Sequence, residues 1–422
     1  MKYGLRFSLA SFVVAMFSAF SAGENWPQFR GPSGNGYVSS SGYPLKWNDS
    51  EQVIWKIPIH DRGWSSPVIW DDQIWLTSAT TNGNRMFALC IDRETGKILH
   101  DKLLFTVEHP QPIAPSNTYA SPTPVIEAGR VYVHFGTYGT ACLDTKTGEV
   151  LWQRTDLKCD HESGAGPGSS PMLVDNLLVF NVDGRDVQYV IALDKQTGET
   201  VWKTDRSVDF SKVPVHQRKG YCMPIIVPRG PGRQLVSPGG RAVISYVPET
   251  GQELWKIQYA GWSIAPRPIY GHGLLFMIAD HDHPELWAIR PDGSGDVTNS
   301  HIVWKNTKTM SPRSSPILVD DLIFVVNGEG ILSCLQAQTG ETVWKKRIAG
   351  KYSASPLFAD SRLYFFNENS ATTVIKPARK FEVLAENRLA NEPLMASPAA
   401  VDGSFVIRTE KHLYRIGVPR NR

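Results

Sequence analysis

The 422-residue chain carries 44 basic and 41 acidic side chains, with 41% hydrophobic and 20% charged residues, the makeup of a globular protein able to bury a sizeable core. Lys2 and Arg6 supply two of its three net positive charges within the first 22 residues, so the body of the chain is nearly neutral. That balance excludes nucleic acid as the main partner, because binding phosphates calls for a basic surface.

Residues 1–22 read as a signal peptide. Lys2 and Arg6 form its charged start, and the apolar run from Leu9 to Phe20 is shorter than the ~20 residues of a membrane span. Small residues from Ala19 to Gly23 offer cleavage points, and no cysteine precedes Cys90 to take a lipid anchor. The expectation is an exported monomer, periplasmic or secreted, with no membrane span once mature. Residues 23–46 read as an N-terminal extension, 47–417 as one repeat domain and 418–422 as a tail.

The repeat sets the fold class. Eight times a residue and a proline open a short apolar strand: Ser66-Pro67, Ser121-Pro122, Ser170-Pro171, Met223-Pro224, Arg267-Pro268, Ser315-Pro316, Ser355-Pro356 and Ser397-Pro398. Their spacing matches four-stranded propeller blades. After the proline comes a hairpin, clearest at Asp175-Asn176 and Asp320-Asp321, where these side chains tolerate left-handed backbone. Five copies then carry a second signature around Thr-Gly, at Thr95-Gly96, Thr250-Gly251 and Thr339-Gly340, and most fully in Leu143-Asp144-Thr-Lys-Thr147-Gly148 before Trp152 and Leu193-Asp194-Lys-Gln-Thr197-Gly198 before Trp202. Glycine supplies the turn, and the tryptophan wedges between adjacent blades.

Trp55, Trp152, Trp202, Trp255, Trp304 and Trp344 share this docking position, whereas His100 replaces the tryptophan in blade one. Val53 to Lys56 looks like an outer strand with no blade before it, and the eighth copy lacks such a strand. The reading is therefore an all-β, eight-bladed β-propeller of four-stranded antiparallel blades, closed by an N-terminal strand. Cys90, Cys142 and Cys334 occupy one repeat position as small buried fillers. Cys159 and Cys222 are the only pair placed to meet across neighbouring blades.

The Leu-Asp-x-x-Thr-Gly-x-x-x-Trp repeat resembles the blades of pyrroloquinoline-quinone (PQQ) repeat proteins. That superfamily takes in quinoprotein alcohol dehydrogenases and the propeller scaffold of outer-membrane β-barrel assembly. The segment Trp26-Pro27-Gln-Phe29-Arg30-Gly31-Pro32 resembles the start of secreted bacterial PQQ-binding-like propellers. For the enzymes, the resemblance implies PQQ with calcium, a vicinal disulfide and a catalytic aspartate. This chain has no adjacent cysteines.

Long connections between outer and inner strands mark one face of the ring as functional. It gathers Glu108-His109, Asp160-His161-Glu162, Asp183, Arg185, Asp186 and His281-Asp282-His283. Trp64, Tyr119 and Tyr221, each three residues before a proline, are candidates to line the mouth of the central channel, and Arg267 and Arg313 to point into it. His281 and His283 alternate in an extended loop and form the one candidate metal pair. The Pro-rich loop His109–Pro115 and the basic stretch His216–Lys219 are candidate partner surfaces.

No Gly-x-Ser-x-Gly elbow or phosphate loop is present. The expected role is a non-catalytic binding or scaffolding module of the cell envelope, with a protein or envelope-polymer partner. The alternatives are a PQQ-dependent oxidoreductase using Asp160, Glu162 or Asp186 as base, and an envelope polysaccharide-binding propeller.

Overall fold

The computed structural model describes residues 24–161, 165–308 and 310–418. The signal-peptide assignment and Glu162 lie outside the described residues. Eight antiparallel sheets form a ring: residues 68–106, 125–154, 172–205, 225–258, 269–306, 317–347 and 357–388 make blades 1 to 7, and 399–417 most of blade 8. The strand Val53–Pro58 completes blade 8 by pairing with His412–Gly417, so the ring is zipped shut by the early chain. Blade 4 gains a short fifth strand, Gly295–Asp296, laid parallel to its outer edge.

Physical interlocking between blades explains the repeat. The indole N–H of Trp55, Trp152, Trp202, Trp304 and Trp344 donates to a backbone carbonyl in the outer turn of the next blade, at 2.9–3.0 Å. The turn glycine of that next blade packs on the same indole. A Cβ on Gly198 would lie 2.6 Å from Trp152, and one on Gly251 2.5 Å from Trp202. Both glycines also have positive φ, 77° and 70°. Gly251→Ala is therefore expected to cost about 1–3 kcal/mol in urea unfolding, from backbone strain plus collision. A loss below about 0.5 kcal/mol, the range of ordinary surface changes, would contradict the interlock.

Trp255 departs from the pattern. Its turn partner in blade 5 is replaced by an excursion through residues 290–301, and Trp255 donates to Gln234 Oε1 (2.7 Å). Gln234 Nε2 in turn donates to Pro291 O (2.7 Å), so the link to blade 5 is relayed.

In three blades the docking residue faces a cysteine that faces an aromatic: Trp75, Cys90 and His100 in blade 1, Tyr132, Cys142 and Trp152 in blade 2, Phe324, Cys334 and Trp344 in blade 6. Cysteine is there because only a small side chain fits between two large ones. In blade 7, where Ala385 takes the tryptophan position, the middle residue grows to Val374. All five cysteines are buried and free, so Cys159 and Cys222 are not bridged.

One repeat position is corrected by the structure. In blade 2 the strand Val125–Glu127 follows Thr123-Pro124, not Ser121-Pro122. Adjacent Ser-Pro and Thr-Pro dipeptides made the register ambiguous, and hydrogen bonding settles it: Ser66 N–H donates to Thr123 Oγ1 (3.0 Å) and Thr123 N–H to Ser170 Oγ (2.9 Å). The same link recurs from Arg267 to Ser315, Ser315 to Ser355 and Ser355 to Ser397, at 2.9–3.0 Å. A hydroxyl before the proline thus laces one blade to its neighbour at five of the eight junctions, Met223 and Arg267 having none to offer.

The extension after the leader is part of the domain. Trp26 exchanges backbone hydrogen bonds with Ile69 of blade 1, and Pro27 O accepts from Ile126 of blade 2. Phe29 packs into the core shared by blades 3 and 4. The Arg267 guanidinium of blade 5 lies against Gly34, and the Tyr37 hydroxyl donates to Leu318 O of blade 6. Gly36 and Val38 bracket Phe358 of blade 7, and Glu24 is bonded to Asp402 of blade 8. The segment therefore runs within the ring, covers inner strand edges that would otherwise be unpaired, and closes one end of the channel.

Candidate functional site

Above this floor the ring holds a cavity of about 480 Å³, within the size range of ligand sites. Its wall is built by two tiers of the repeat. The residue three before each strand-opening proline lines it in all eight blades: Trp64, Ser121, Gly168, Tyr221, Ala265, Arg313, Ser353 and Met395. The deeper tier is the residue just before the proline, contributed by Ser66, Thr123, Ser170, Met223, Ser355 and Ser397. Phe29 of the extension also lines the cavity. The first tier differs in residue type from blade to blade, and its links are less regular: Arg313 donates to Ser353 Oγ (3.4 Å) and the Trp64 amide to Ala120 O (3.1 Å).

Trp64 is anchored by its indole N–H to Ser116 O (3.1 Å). On the opposite wall Trp262 stands between two imidazoles, His216 at 5.5 Å and His281 at 6.0 Å between ring centroids. Arg313 remains 47% exposed, with Glu368 at 3.8 Å. No aspartate or glutamate lines the cavity among the described residues.

The candidates from sequence divide clearly. Trp64, Tyr221, Arg313 and His281 line the cavity. Tyr119 does not: it is buried, its hydroxyl donating to Gln111 O (2.8 Å), because it precedes the wrong proline of blade 2. Arg267 is buried against Gly34 below the cavity and donates to Pro224 O. Burial pulls its pKa down to about 10. Asp183 is no surface acid, being enclosed with Arg206 in a two-pronged ion pair at 2.7 and 2.9 Å. Desolvation alone would lower Arg206, but the attraction of Asp183 more than reverses it and holds the guanidinium charged.

Asp160, Arg185 and Asp186 form a local network in which Asp186 accepts from the Asp160 amide (2.8 Å). His283 does not reach the cavity, and among the described residues no group of three or more His, Cys, Asp or Glu is arranged to hold a metal. The basic stretch His216–Lys219 is not a uniform surface, since Lys219 is buried and donates to His161 O (2.8 Å). Sequence reasoning missed Phe29, Trp262, Ser353 and Met395. The last two follow from the position three before the proline, and Trp262 was findable as a tryptophan outside the docking register.

Cys159 Sγ lies 3.4 Å from His161 Nε2, a pairing that no motif around the two residues marks. Burial pushes the thiol up to about 12. It pulls His161 down to about 4, helped by the charge of Lys219. Both groups are therefore neutral at pH 7, and the pair presents no thiolate. His134, also enclosed, is drawn down to about 3 by burial and by His161.

These buried imidazoles set an acid limit on stability. In the unfolded chain each takes up a proton below about 6.5, whereas in the fold it does so only at the lowered value. Stability is then complete above pH 6.5 and declines as pH falls toward 4, by up to about 1.4 kcal/mol per pH unit for each histidine. His161→Gln is expected to flatten that decline in urea titrations between pH 7 and 4.5. An unchanged slope would show that His161 is not held neutral.

The fold and its site define a closed eight-bladed propeller with a single-mouthed axial cavity. The chain belongs to the PQQ-like repeat family whose profile is described as "Outer membrane protein assembly factor BamB", matched at residues 34–164, 113–204, 140–221, 186–296 and 295–380. The outer membrane protein assembly factor BamB of Legionella pneumophila (strain Paris) is 24% identical over 203 residues, 48% of each chain, so the match spans about half of that relative. Among solved structures, BamB from Moraxella catarrhalis aligns with a TM-score of 0.59 at 11% identity, over 86% of this chain and 99% of that one. A europium-containing methanol dehydrogenase aligns with a TM-score of 0.68 at 11% identity, over 94% and 98%. At such identities the likeness concerns the fold alone.

A quinone held beside a calcium or lanthanide ion requires carboxylate oxygens on the metal. The described lining supplies none, and the sequence has no adjacent cysteine pair. The residues present do not fit that cofactor pair.

Proposed function

We propose that this protein is an exported, non-catalytic recognition propeller of the cell envelope, which uses the cavity face to hold a ligand or a projecting part of a partner. The observation that carries the reading is the one-ended cavity, lined in all eight blades by the residue three before the strand-opening proline, which differs in chemistry around the ring. Two further points support it: the enclosed Cys159 and His161 are neutral, and the described lining has no carboxylate base. Export and an envelope location rest on the leader and on the family description. No helix among the described residues is long and apolar enough to cross a membrane.

Cysteine labelling tests the face. The five native cysteines are buried, so an introduced thiol can be modified selectively. A bulky maleimide on Ser353→Cys, at the mouth, is expected to abolish capture of envelope components by the immobilised chain. The same label on Lys146→Cys, in an exposed outer turn on the opposite face, is expected to leave capture intact. Loss with the second label and not the first would overturn the reading.

A further inference from the structure

We infer that the cavity accepts a short acidic saccharide, with a carboxylate or sulfate group directed at the deep wall and sugar rings against the aromatic mouth. This deepens the recognition role proposed above and rests on it.

The deep wall is rich in donors. Thr123 Oγ1, Ser170 Oγ, Ser355 Oγ and Ser397 Oγ each accept an amide N–H from the neighbouring blade, at 2.9–3.0 Å. A hydroxyl whose lone pair is engaged by an amide keeps its own O–H to donate, and that proton turns to suit its acceptor. All four residues line the cavity, and all four are at least nine-tenths buried. They converge around the axis from blades 2, 3, 7 and 8. Such a set favours a group that only accepts, and an anionic oxygen makes the strongest such bonds.

The charges agree with this. Arg313 and Lys219 line the cavity together with His216 and His281, and no described carboxylate lies among them. Glu368 stands 3.8 Å from Arg313 and Ser353 donates to it, while Asp160 and Asp186 act on Lys219 from outside the lining. The positive groups are thus partly offset, with the Lys219 amine already bonded to His161 O, which suits one or two acid groups rather than a polyanion.

At the mouth, Trp64, Tyr221 and Trp262 supply flat apolar surface beside further hydroxyls of Ser116, Ser121 and Ser263. Broad rings next to small polar groups complement a pyranose, whose faces are apolar and whose edges carry hydroxyls. A dicarboxylate metabolite would satisfy the deep wall and leave the aromatic rim unused. A neutral sugar would use the rim and leave the donors without an anion.

Calorimetric titration of the full mature chain with digalacturonate, its methyl ester and inorganic sulfate tests the inference. Digalacturonate is expected to bind about tenfold or more tightly than the uncharged ester, since the bonds lost are to a charged group. Trp64→Ala and the pair Thr123→Val with Ser355→Ala are each expected to weaken it about tenfold, and Arg313→Gln by less. A cooperative thermal transition in each variant shows that the loss is not unfolding, and Arg313→Gln on the exposed rim serves if the deep-wall pair fails to fold. Equal binding of acid and ester, affinity for sulfate alone equal to that for the disaccharide, or no binding of any probe would overturn the inference. If no probe binds while the Ser353 label still blocks capture, the saccharide class fails and the recognition face stands.

Discussion

Deleting residues 47–58 is expected to leave a chain that does not fold cooperatively. The segment supplies the outer strand of blade 8, paired from Val53 to Pro58 with residues 412–416. It also contributes Trp47 and Trp55, 3% and 9% exposed, to the large core between blades 7, 8 and 1. Truncating one such tryptophan costs about 3–5 kcal/mol, and a domain has only about 5–15 kcal/mol in total. The deletion also frees the edge of the strand His412–Gly417 for intermolecular pairing, so aggregation should accompany the loss. Trp55→Ala alone, which keeps the strand, should lower the urea midpoint by an amount equivalent to about 3–5 kcal/mol. A deleted chain that melts cooperatively at the wild-type temperature would show that the ring is not closed by its N-terminal strand.

The second large effect lies between blades 3 and 4. Asp183 and Arg206 have fully buried side chains, and Arg206 also donates to Ser237 O and Ser237 Oγ. Removing one partner leaves a buried charge uncompensated, so Asp183→Asn is expected to destabilise by about 3–5 kcal/mol. Replacing both, as Asp183→Leu with Arg206→Met, should cost far less, because no charge is then stranded. Gly220 and Gly239 press directly on the pair, so the replacements must stay slender. A loss under about 1 kcal/mol for Asp183→Asn, the range of exposed pairs, would mean that water reaches the pair in solution.

What was legible in the sequence is what the blades repeat. Hairpin aspartates, turn glycines and docking tryptophans recur with fixed spacing, and the structure gives them the places expected except at Trp255, whose link to blade 5 is relayed. Asp175 and Asp320, for instance, have φ of 52° and 50° in their turns. Legibility failed where the chain does not repeat. Residues 24–38 make backbone bonds to inner strands up to hundreds of residues away, such as Val38 to Phe358, and no local pattern encodes that. Arg267 looks like a channel residue until Gly34 is found beneath its guanidinium.

The candidate site was half visible. The rule of three residues before the proline found Trp64 and Tyr221, and Arg313, named for the channel on other grounds, obeys it too. It failed at Tyr119 because blade 2 carries two competing prolines. Lys219 read as a surface cation because burial is a property of the loop fold around it, and not of the basic run that contains it.

Recognition at one face requires that the extension close the other end of the channel. Hydrogen exchange of the mature chain measures this at the amides of Trp26, Val38, Ile69, Ile126 and Phe358, all bonded between the extension and inner strands. They are expected to exchange only with global or near-global opening, as core strand amides do. Exchange of these amides at the rate of an unstructured chain, with the blade cores still protected, would mean that the channel is open at both ends.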